Sequence, residues 1–265
     1  MDITSRNNPR IKDIAKLQSK KHRDRQHKFL IEGYYPLSYA LDNNYPIEEI
    51  FVCEKLLRNK FDNNTLLERI KKSTIQITTV SEDVYAKLSN YESPEGLIAV
   101  APEKDSSLSN LNPQNNGLYL VAESIEKLSS LGTLFRLADN AGVDAVILCD
   151  PQADMYNPHV IRTSLGTFFS VTIVEATTDK TITWCKENNI QTLATSPQAK
   201  KEHTQVDMTP STAIVIGTEH GGLSEKWLQQ ADIKVLIPMY GKAESLSVST
   251  SAAIMLYEAI RQRHN

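Results

Sequence analysis

Short runs of aliphatic and β-branched residues alternate along this chain with longer stretches whose apolar positions recur at helical spacing. In the C-terminal half these runs predict strands at 118–122, 145–149, 168–174, 190–195, 213–216 and 233–237. Amphipathic stretches between them predict helices, such as one at about 130–141. Alternating strands and helices with short connections predict an α/β domain with a mostly parallel sheet covered on both faces.

The first hundred residues show the same alternation on a smaller scale. Predicted strands lie at 29–33, 47–53, 74–80 and 96–100, and predicted helices begin after Pro9 and cover 35–43, 55–72 and 81–88. A stretch rich in Pro, Ser, Asn and charge follows. We therefore predict a small α/β domain over 1–103, a linker over 104–116 and a second domain over 117–265.

Three local signals mark helix ends. Ser81 stands where a side chain would cap the helix at 81–88, and Asn157 followed by Pro158 predicts the start of a short helix. Gly142 is suited to end the helix at 130–141 because glycine adopts a left-handed conformation without steric cost.

Two polar loops follow consecutive predicted strands near the C-terminus. The strand at 213–216 ends in Gly-Thr-Glu-His-Gly-Gly, and the strand at 233–237 precedes Ser-Leu-Ser-Val-Ser-Thr-Ser at 245–251. Glycines let a backbone approach a ligand closely, and ligands of open α/β sheets bind at the edge where strands end. The pattern predicts a ligand site there, with plain turn chemistry as the alternative.

Three segments carry a family resemblance. They read SLGTLFRLADNAGV at 130–143, GTEHGGLS at 217–224, and IPM at 237–239 followed by ESLSVSTSAAIMLYEA at 244–259. In this order they resemble the three signature motifs of the SpoU-type (TrmH-like) RNA 2′-O-ribose methyltransferases of the SPOUT superfamily. The resemblance covers about 116–263, and a weaker one relates the N-terminus to the family's substrate-binding domain.

The resemblance implies the fold and the activity. It implies a knotted C-terminal SPOUT methyltransferase domain and a ribosomal-protein-like N-terminal domain that binds RNA. The implied cofactor is S-adenosylmethionine, and the implied reaction is 2′-O-ribose methylation of structured RNA, with rRNA of the 23S type favoured over tRNA. A homodimer formed through the C-terminal domain is also implied. The knot rests on the resemblance alone, because true knots are very rare.

Five residues are expected to contact the cofactor. Gly217, Ile237 and Leu246 match family positions that line its pocket, and Met239 and Gly222 are the next candidates. An adenine pocket needs apolar walls and a few backbone polar groups, which these residue types can supply. For Ile237 and Leu246, plain core packing is the alternative.

Arg136 matches the arginine that the resemblance implies to be catalytic, and Glu219 is a second catalytic candidate because it lies in the glycine loop. A ribose 2′-hydroxyl is a poor nucleophile unless its proton is removed or its developing charge is stabilised. Because a guanidinium stays protonated, we expect Arg136 to bind phosphate and stabilise the alkoxide. A surface ion pair is the alternative. Glu219 is expected either to orient the glycine loop through backbone N–H groups or to act near the hydroxyl.

Charge is distributed unevenly along the chain. Residues 1–30 contain nine Lys and Arg and three Asp, a net charge of +6, whereas the whole chain has −3. Such asymmetry predicts a basic arm that meets phosphate, with a solvated helix face as the alternative. The expected RNA contacts are Arg6, Arg10, Lys20, Lys21 and Arg23 in this arm and, from the resemblance, Arg162 and Ser164.

The chain departs from the family at two positions. Ser130 stands where the first motif usually has Asn, and Ser247 stands where the third motif usually has Asn. A serine offers one short hydroxyl in place of an amide donor and acceptor. These changes favour the alternative function, a non-catalytic RNA-binding protein that keeps the fold. The retained arginine and cofactor motifs favour the enzyme.

Cysteine spacing, missing motifs and the length of the apolar runs disfavour several other classes of protein. Cys53, Cys149 and Cys185 form no CxxC pair, so we expect free thiols in a reducing cytoplasm. We expect no metal site because the six His and three Cys do not cluster, and no dinucleotide site because no GxGxxG follows an early strand. No apolar run approaches the ~20 residues that span a bilayer, and the N-terminus lacks a signal-peptide core, so we expect no membrane contact.

Overall fold

A computed structural model describes residues 2–57, 60–218 and 220–264, with the backbone alone for 60–64. The chain divides into two compact units. The N-terminal unit comprises Met1–Lys104 and Asp154–Ser170, and the C-terminal unit comprises Asp105–Ala153 and Val171–Asn265. Within the described residues, no helix is both long and apolar enough to cross a membrane.

The elements follow the predicted alternation. The strands are β1 (Asp2–Ile3), β2 (Lys28–Glu32), β3 (Glu49–Val52), β4 (Gln76–Val80), β5 (Leu97–Pro102), β6 (Leu118–Glu123), β7 (Ala145–Cys149), β8 (Ile173–Ala176), β9 (Gln191–Thr195), β10 (Lys201–Glu202), β11 (Thr212–Ile216) and β12 (Ile233–Leu236). The helices are α1 (Pro9–Ala15), α2 (Lys20–Gln26), α3 (Tyr34–Asp42), α4 (Lys60–Lys71), α5 (Glu82–Leu88), α6 (Leu128–Ala141), α7 (Pro158–Thr163), α8 (Thr178–Glu187), α9 (Glu225–Gln230) and α10 (Val248–Arg263).

The predicted helix ends are confirmed. The Ser81 side chain accepts a hydrogen bond from the backbone N–H of Val84 at the start of α5. Asn157 caps α7 in the same way, with Pro158 as the first helical residue. Gly142 ends α6 with φ of 62°, where a side chain would be strained.

The C-terminal unit contains a seven-stranded parallel sheet in the order β10-β12-β9-β11-β6-β7-β8. Helices α8 and α9 pack on one face, where Ile182, Cys185 and Trp227 join the alternate residues of the strands. Helices α6 and α10 pack against each other and against β7 and β11. The mostly parallel α/β architecture expected from the sequence is therefore confirmed.

Two leucines of the predicted linker lie in this core. Leu108 and Leu111 are buried in the apolar cluster of the C-terminal unit. They follow a short stretch in which the Glu175 N–H donates to the Ser106 carbonyl, beside β8. The stretch after 104 therefore differs from the expected linker, because its two leucines contribute to the C-terminal core.

The N-terminal unit contains a five-stranded mixed sheet in the order β1-β4-β3-β5-β2. Strand β5 is antiparallel to both of its neighbours, and the remaining pairs are parallel. Helices α1 and α5 pack together over one face, with Ile11, Leu17 and Val84 in the core. This is the small α/β body expected for the first hundred residues.

The segment 154–170 belongs to the N-terminal unit, although the expected boundaries assign it to the second domain. Its aromatic rings explain the difference, because Tyr156, Phe168 and Phe169 all pack against Phe29 of β2. The predicted strand at 168–174 is wrong in its first part. Residues Thr167–Phe169 form a 3₁₀ turn, which presents both phenylalanines to this cluster, and β8 begins only at Ile173.

Arg23 is buried inside the N-terminal unit rather than available to RNA. Its side chain is 1% exposed, and its guanidinium pairs with the Asp154 carboxylate. The Arg23 Nη1 also donates to the carbonyl oxygens of Leu17 and Gln18, at 2.8 and 2.9 Å. With its donors directed to these internal acceptors, Arg23 stabilises the fold, and the expected phosphate contact is not supported.

We predict that Asp154→Ala will lower the free energy of unfolding by about 3 kcal/mol, because it leaves a buried guanidinium without its counter-charge. The matched control is Asp13→Ala, which removes an exposed ion pair to Lys16 and should change stability by less than about 0.5 kcal/mol. Urea unfolding followed by circular dichroism would measure both. Equal effects of the two substitutions would contradict the structural role of Arg23.

Candidate active site

The ends of β6 and β11 lie side by side in the C-terminal unit. Ala122 of β6 pairs with Ile216 of β11 in parallel register, so both strands leave the sheet at the same edge. A small pocket lies between the segments that follow. It is lined by Ile125 and Glu126 after β6 and by Thr218 and His220 after β11. This is the edge where the sequence predicted a ligand site.

The glycine loop after β11 is a closed turn. The Thr218 N–H donates to the Gly222 carbonyl at 2.9 Å, and the Gly222 N–H returns a bond to the Thr218 carbonyl at 3.1 Å. The Gly221 N–H donates to the Thr218 hydroxyl at 2.9 Å. A Cβ on Gly217 would overlap the Gly222 carbonyl, and Gly222 itself has φ of 66°. The loop therefore requires glycine at 217 and favours it at 222, two of the five expected cofactor contacts.

Glu219 lies in this loop but outside the described residues. Its catalytic or loop-orienting role therefore stays a prediction.

Glu123, at the end of β6, joins the glycine loop to the sheet. This carboxylate is 5% exposed and accepts hydrogen bonds from the Ser224 N–H at 2.8 Å and the Ser224 hydroxyl at 2.7 Å. The Thr178 hydroxyl, in the first turn of α8, donates to the same carboxylate at 3.0 Å. Sequence reasoning gave Glu123 no role. The available signal was an acidic residue that ends an otherwise apolar, buried strand.

The loop after β12 leaves apolar side chains uncovered. Ile237 is half-buried, and Met239 and Leu246 are each 37% exposed. Side chains of this kind can form the apolar wall that an adenine ring requires. The three residues therefore fit the implied cofactor, and core packing does not account for Met239 or Leu246.

Ser247 performs a clear structural task in the third motif. Its hydroxyl accepts a hydrogen bond from the Thr250 N–H at 3.2 Å and so caps α10. Serine and asparagine are both strong N-cap residues. The departure from the family at this position therefore preserves the cap of α10. Ser130, the other departure, lies in the first turn of α6 and is half-buried.

Arg136 lies on the outer surface of α6. Its neighbours Leu134 and Phe135 are buried, whereas the arginine is exposed. Among the described residues, no hydrogen-bond or ion-pair partner of its guanidinium is found, so the surface ion pair considered from the sequence is not present there. The group is free to meet an external anion. It lies about 12 Å along the helix axis from the first residue of α6.

The remaining residues expected to contact RNA fall into two groups. Arg6 and Lys21 are exposed, Arg10 pairs with Glu49, and Lys20 forms an exposed ion pair with Asp24. These four side chains of the basic arm are reachable from solvent.

The two expected contacts in and after α7 differ from each other. The Arg162 guanidinium stacks over the Tyr91 ring, 4.0 Å from its centroid, and lies 3.6 Å from Glu95, with part of its side chain exposed. Ser164 is fully buried, and its hydroxyl donates to the Ile161 carbonyl at 2.7 Å. A direct RNA contact by Ser164 is therefore not supported, because its side chain completes the end of α7.

Comparison with known proteins identifies the family. The family model described as the SpoU rRNA Methylase family matches residues 117–257, and the MRM3-like substrate binding domain matches residues 8–99. The chain belongs to the SpoU rRNA methylase family.

Full-length relatives agree with this assignment. The 23S rRNA (guanosine(2553)-2′-O)-methyltransferase RlmP of Bacillus subtilis is 29% identical over 96% of this chain and 97% of its own length. A crystal structure of an RNA 2′-O ribose methyltransferase is 40% identical, covers 100% of both chains and superposes with a TM-score of 0.86. The AdoMet-bound rRNA methyltransferase from Sinorhizobium meliloti is 26% identical over 98% of this chain and 97% of its own, with a TM-score of 0.88.

We predict that Gly217→Ala will open the glycine loop, because its Cβ would overlap the Gly222 carbonyl. Backbone amides of the loop should lose protection in hydrogen–deuterium exchange by at least tenfold. Gly241→Ala is the matched control, since a Cβ there meets no atom within 4 Å. Unchanged protection in Gly217→Ala would show that the closed turn is not the form adopted in solution.

Proposed function

We propose that this protein transfers a methyl group from S-adenosylmethionine to a ribose 2′-oxygen of ribosomal RNA, with 23S-type rRNA as the substrate class. The observation that carries the proposal is the closed glycine loop, joined by Glu123 to the end of β6 at the edge of the parallel sheet. It lies within the span matched by the family, and full-length relatives are named as enzymes of this reaction.

The cofactor would be bound by residues already described. Gly217 and Gly222 carry no side chain, which lets a cofactor approach the backbone closely at the sheet edge, and Ile237, Met239 and Leu246 offer uncovered apolar surface for the adenine. When bound, S-adenosylmethionine supplies an electrophilic methyl group on its sulfonium. The protein's task is to exclude water from that group and to position the ribose.

Arg136 stabilises the negative charge that develops on the ribose 2′-oxygen. Its guanidinium is exposed and has no described internal partner, and it cannot act as the base because it stays protonated. A fixed cation beside the reacting oxygen favours the charged transition state over the neutral hydroxyl. We further propose that Glu219, in the glycine loop, acts near the hydroxyl or fixes the loop through its backbone N–H groups.

The N-terminal unit supplies the contacts to RNA phosphates. Arg6, Lys20 and Lys21 are exposed in the arm, and Arg10 keeps a partly exposed side chain although it pairs with Glu49. Arg162, stacked on Tyr91, can contact either a phosphate or the face of a base. Arg23 and Ser164 are excluded from this set by their burial.

We extend the proposal to assembly and location. The C-terminal unit is proposed to form the knot and a homodimer, for which the exposed Tyr257 of α10 offers apolar surface.

A cytoplasmic location is proposed because Cys53, Cys149 and Cys185 are free, buried thiols. Burial raises the pKa of Cys149 and of Cys185 to about 12, which keeps both groups protonated and unreactive. The proposed methyltransferase domain corresponds to the C-terminal unit, Asp105–Ala153 and Val171–Asn265, so it begins before the expected residue 117 and lacks the segment 154–170.

We predict that Arg136→Ala will lower the rate of methyl transfer by about 10²–10³ while the dissociation constant of S-adenosylmethionine stays within about twofold of wild type. Arg136→Lys keeps the charge but not the forked set of donors, so its rate of methyl transfer should lie between those of wild type and Arg136→Ala. Transfer from radiolabelled cofactor and isothermal titration calorimetry would give the two values. A wild-type rate in Arg136→Ala would refute the catalytic assignment.

We predict that Lys21→Ala will weaken RNA binding and reduce the slope of log affinity against log salt by about 0.7–0.9, the share of one phosphate contact. Lys226→Ala is the control, because this exposed lysine of the C-terminal unit pairs with Asp179. Filter binding to rRNA fragments at several salt concentrations would measure both slopes. An unchanged slope for Lys21→Ala would favour the alternative, in which Lys21 lies on a solvated helix face and contacts no phosphate.

A further inference from the structure

One buried carboxylate connects the two walls of the candidate pocket. The first wall, Ile125 and Glu126, begins two residues after Glu123 along the chain. The second wall, Thr218 and His220, belongs to the loop that ends at Ser224. Glu123 accepts hydrogen bonds from the N–H and the hydroxyl of Ser224. The position of the glycine loop relative to the segment after β6 therefore depends on this carboxylate.

The two hydrogen bonds from Ser224 are strong because their acceptor is a carboxylate. Hydrogen bonds to a charged acceptor contribute more than neutral ones, and a buried carboxylate without donors would be costly. Because Ser224 donates from its backbone and from its side chain, both its main-chain position and its rotamer are constrained. Ser224 also precedes the first turn of α9, so the exit of the glycine loop is fixed at a defined point.

The entry of the same loop is fixed by different means. Gly217 follows β11 directly, and the mutual bonds of Thr218 and Gly222 close the turn. A loop that is constrained at both ends loses little conformational freedom when it takes up a ligand. That preorganisation increases affinity without adding a contact.

We infer that Glu123 is a positioning residue that preorganises the glycine loop for S-adenosylmethionine, acting through Ser224 and without touching the cofactor. This inference rests on the proposed function for the identity of the ligand. The shape of the loop itself does not depend on that identity.

The structure contains an internal control for a merely structural role. Thr178 and Ser224 both donate a hydroxyl to the same oxygen of Glu123, at 3.0 and 2.7 Å. Thr178 belongs to α8, which is not part of the glycine loop. Ser224, by contrast, is the residue at which that loop ends. Thr178→Val removes a bond between Glu123 and α8, whereas Ser224→Ala removes one of the two bonds that hold the loop and keeps the Ser224 N–H bond. The loop is therefore expected to loosen in Ser224→Ala and to stay closed in Thr178→Val.

The test compares Ser224→Ala with Thr178→Val in the full-length protein. Hydrogen–deuterium exchange of the amides at 217–223, measured without ligand, should become about tenfold faster in Ser224→Ala and remain within about twofold of wild type in Thr178→Val. Calorimetry should show the dissociation constant of S-adenosylmethionine raised by about tenfold in the first variant and unchanged in the second. Melting temperatures confirm that both variants are folded.

The outcomes separate this inference from the proposed function. Equal exchange and equal affinity in the two variants would overturn the positioning role, because a general loss of stability would then explain both. Wild-type protein that binds no S-adenosylmethionine would refute the proposed ligand, while selective loosening of the loop in Ser224→Ala would still support the role of Glu123. Glu123→Gln adds a second check, since it keeps the shape of the side chain but removes the charge, and it should loosen the loop as Ser224→Ala does.

Discussion

The parallel pairing of β6 with β11 determines where the candidate site can form. Because Ala122 and Ile216 are in register, the segments that follow both strands emerge together at one edge of the sheet. The carboxylate of Glu123 then joins these segments by accepting two bonds from Ser224. The closed glycine loop, the pocket beside it and the start of α9 all depend on this arrangement. Neither strand could shift by one residue without turning its buried side chains toward the opposite face.

Much of the fold follows from local signals in the sequence. Apolar runs such as Ala145–Cys149 predict buried strands because every residue of a central parallel strand faces a helix layer. Ser81 and Asn157 mark helix starts because each can satisfy a free backbone N–H, and Gly142 marks a helix end because it adopts a positive φ. The apolar run at 213–216, followed directly by a glycine-rich segment, indicated the sheet edge that carries the glycine loop.

Other features depend on partners distant in sequence, and no local pattern reveals them. In the sequence, Arg23 is one of several cations of the basic arm. In the structure it pairs with Asp154 and is buried, which the local sequence does not indicate. The sequence around Phe168 and Phe169 predicts a strand. In the structure the two residues lie in a 3₁₀ turn, because their rings pack against Phe29 of β2 and against Tyr45, which follows α3. The role of Glu123 depends on donors 55 and 101 residues away. The replacements at Ser130 and Ser247 suggested weakened chemistry, yet Ser247 caps α10 as an asparagine would.

The most direct test of this account is to locate the transferred methyl group. Unmodified rRNA would be incubated with the protein and isotopically labelled S-adenosylmethionine, digested to nucleosides and fragments, and examined by mass spectrometry. We predict label on the ribose 2′-oxygen at one position of 23S-type rRNA, with the rate of labelling lowered by about 10²–10³ in Arg136→Ala. Label on a base, or no transfer to rRNA by protein that binds the cofactor, would contradict it.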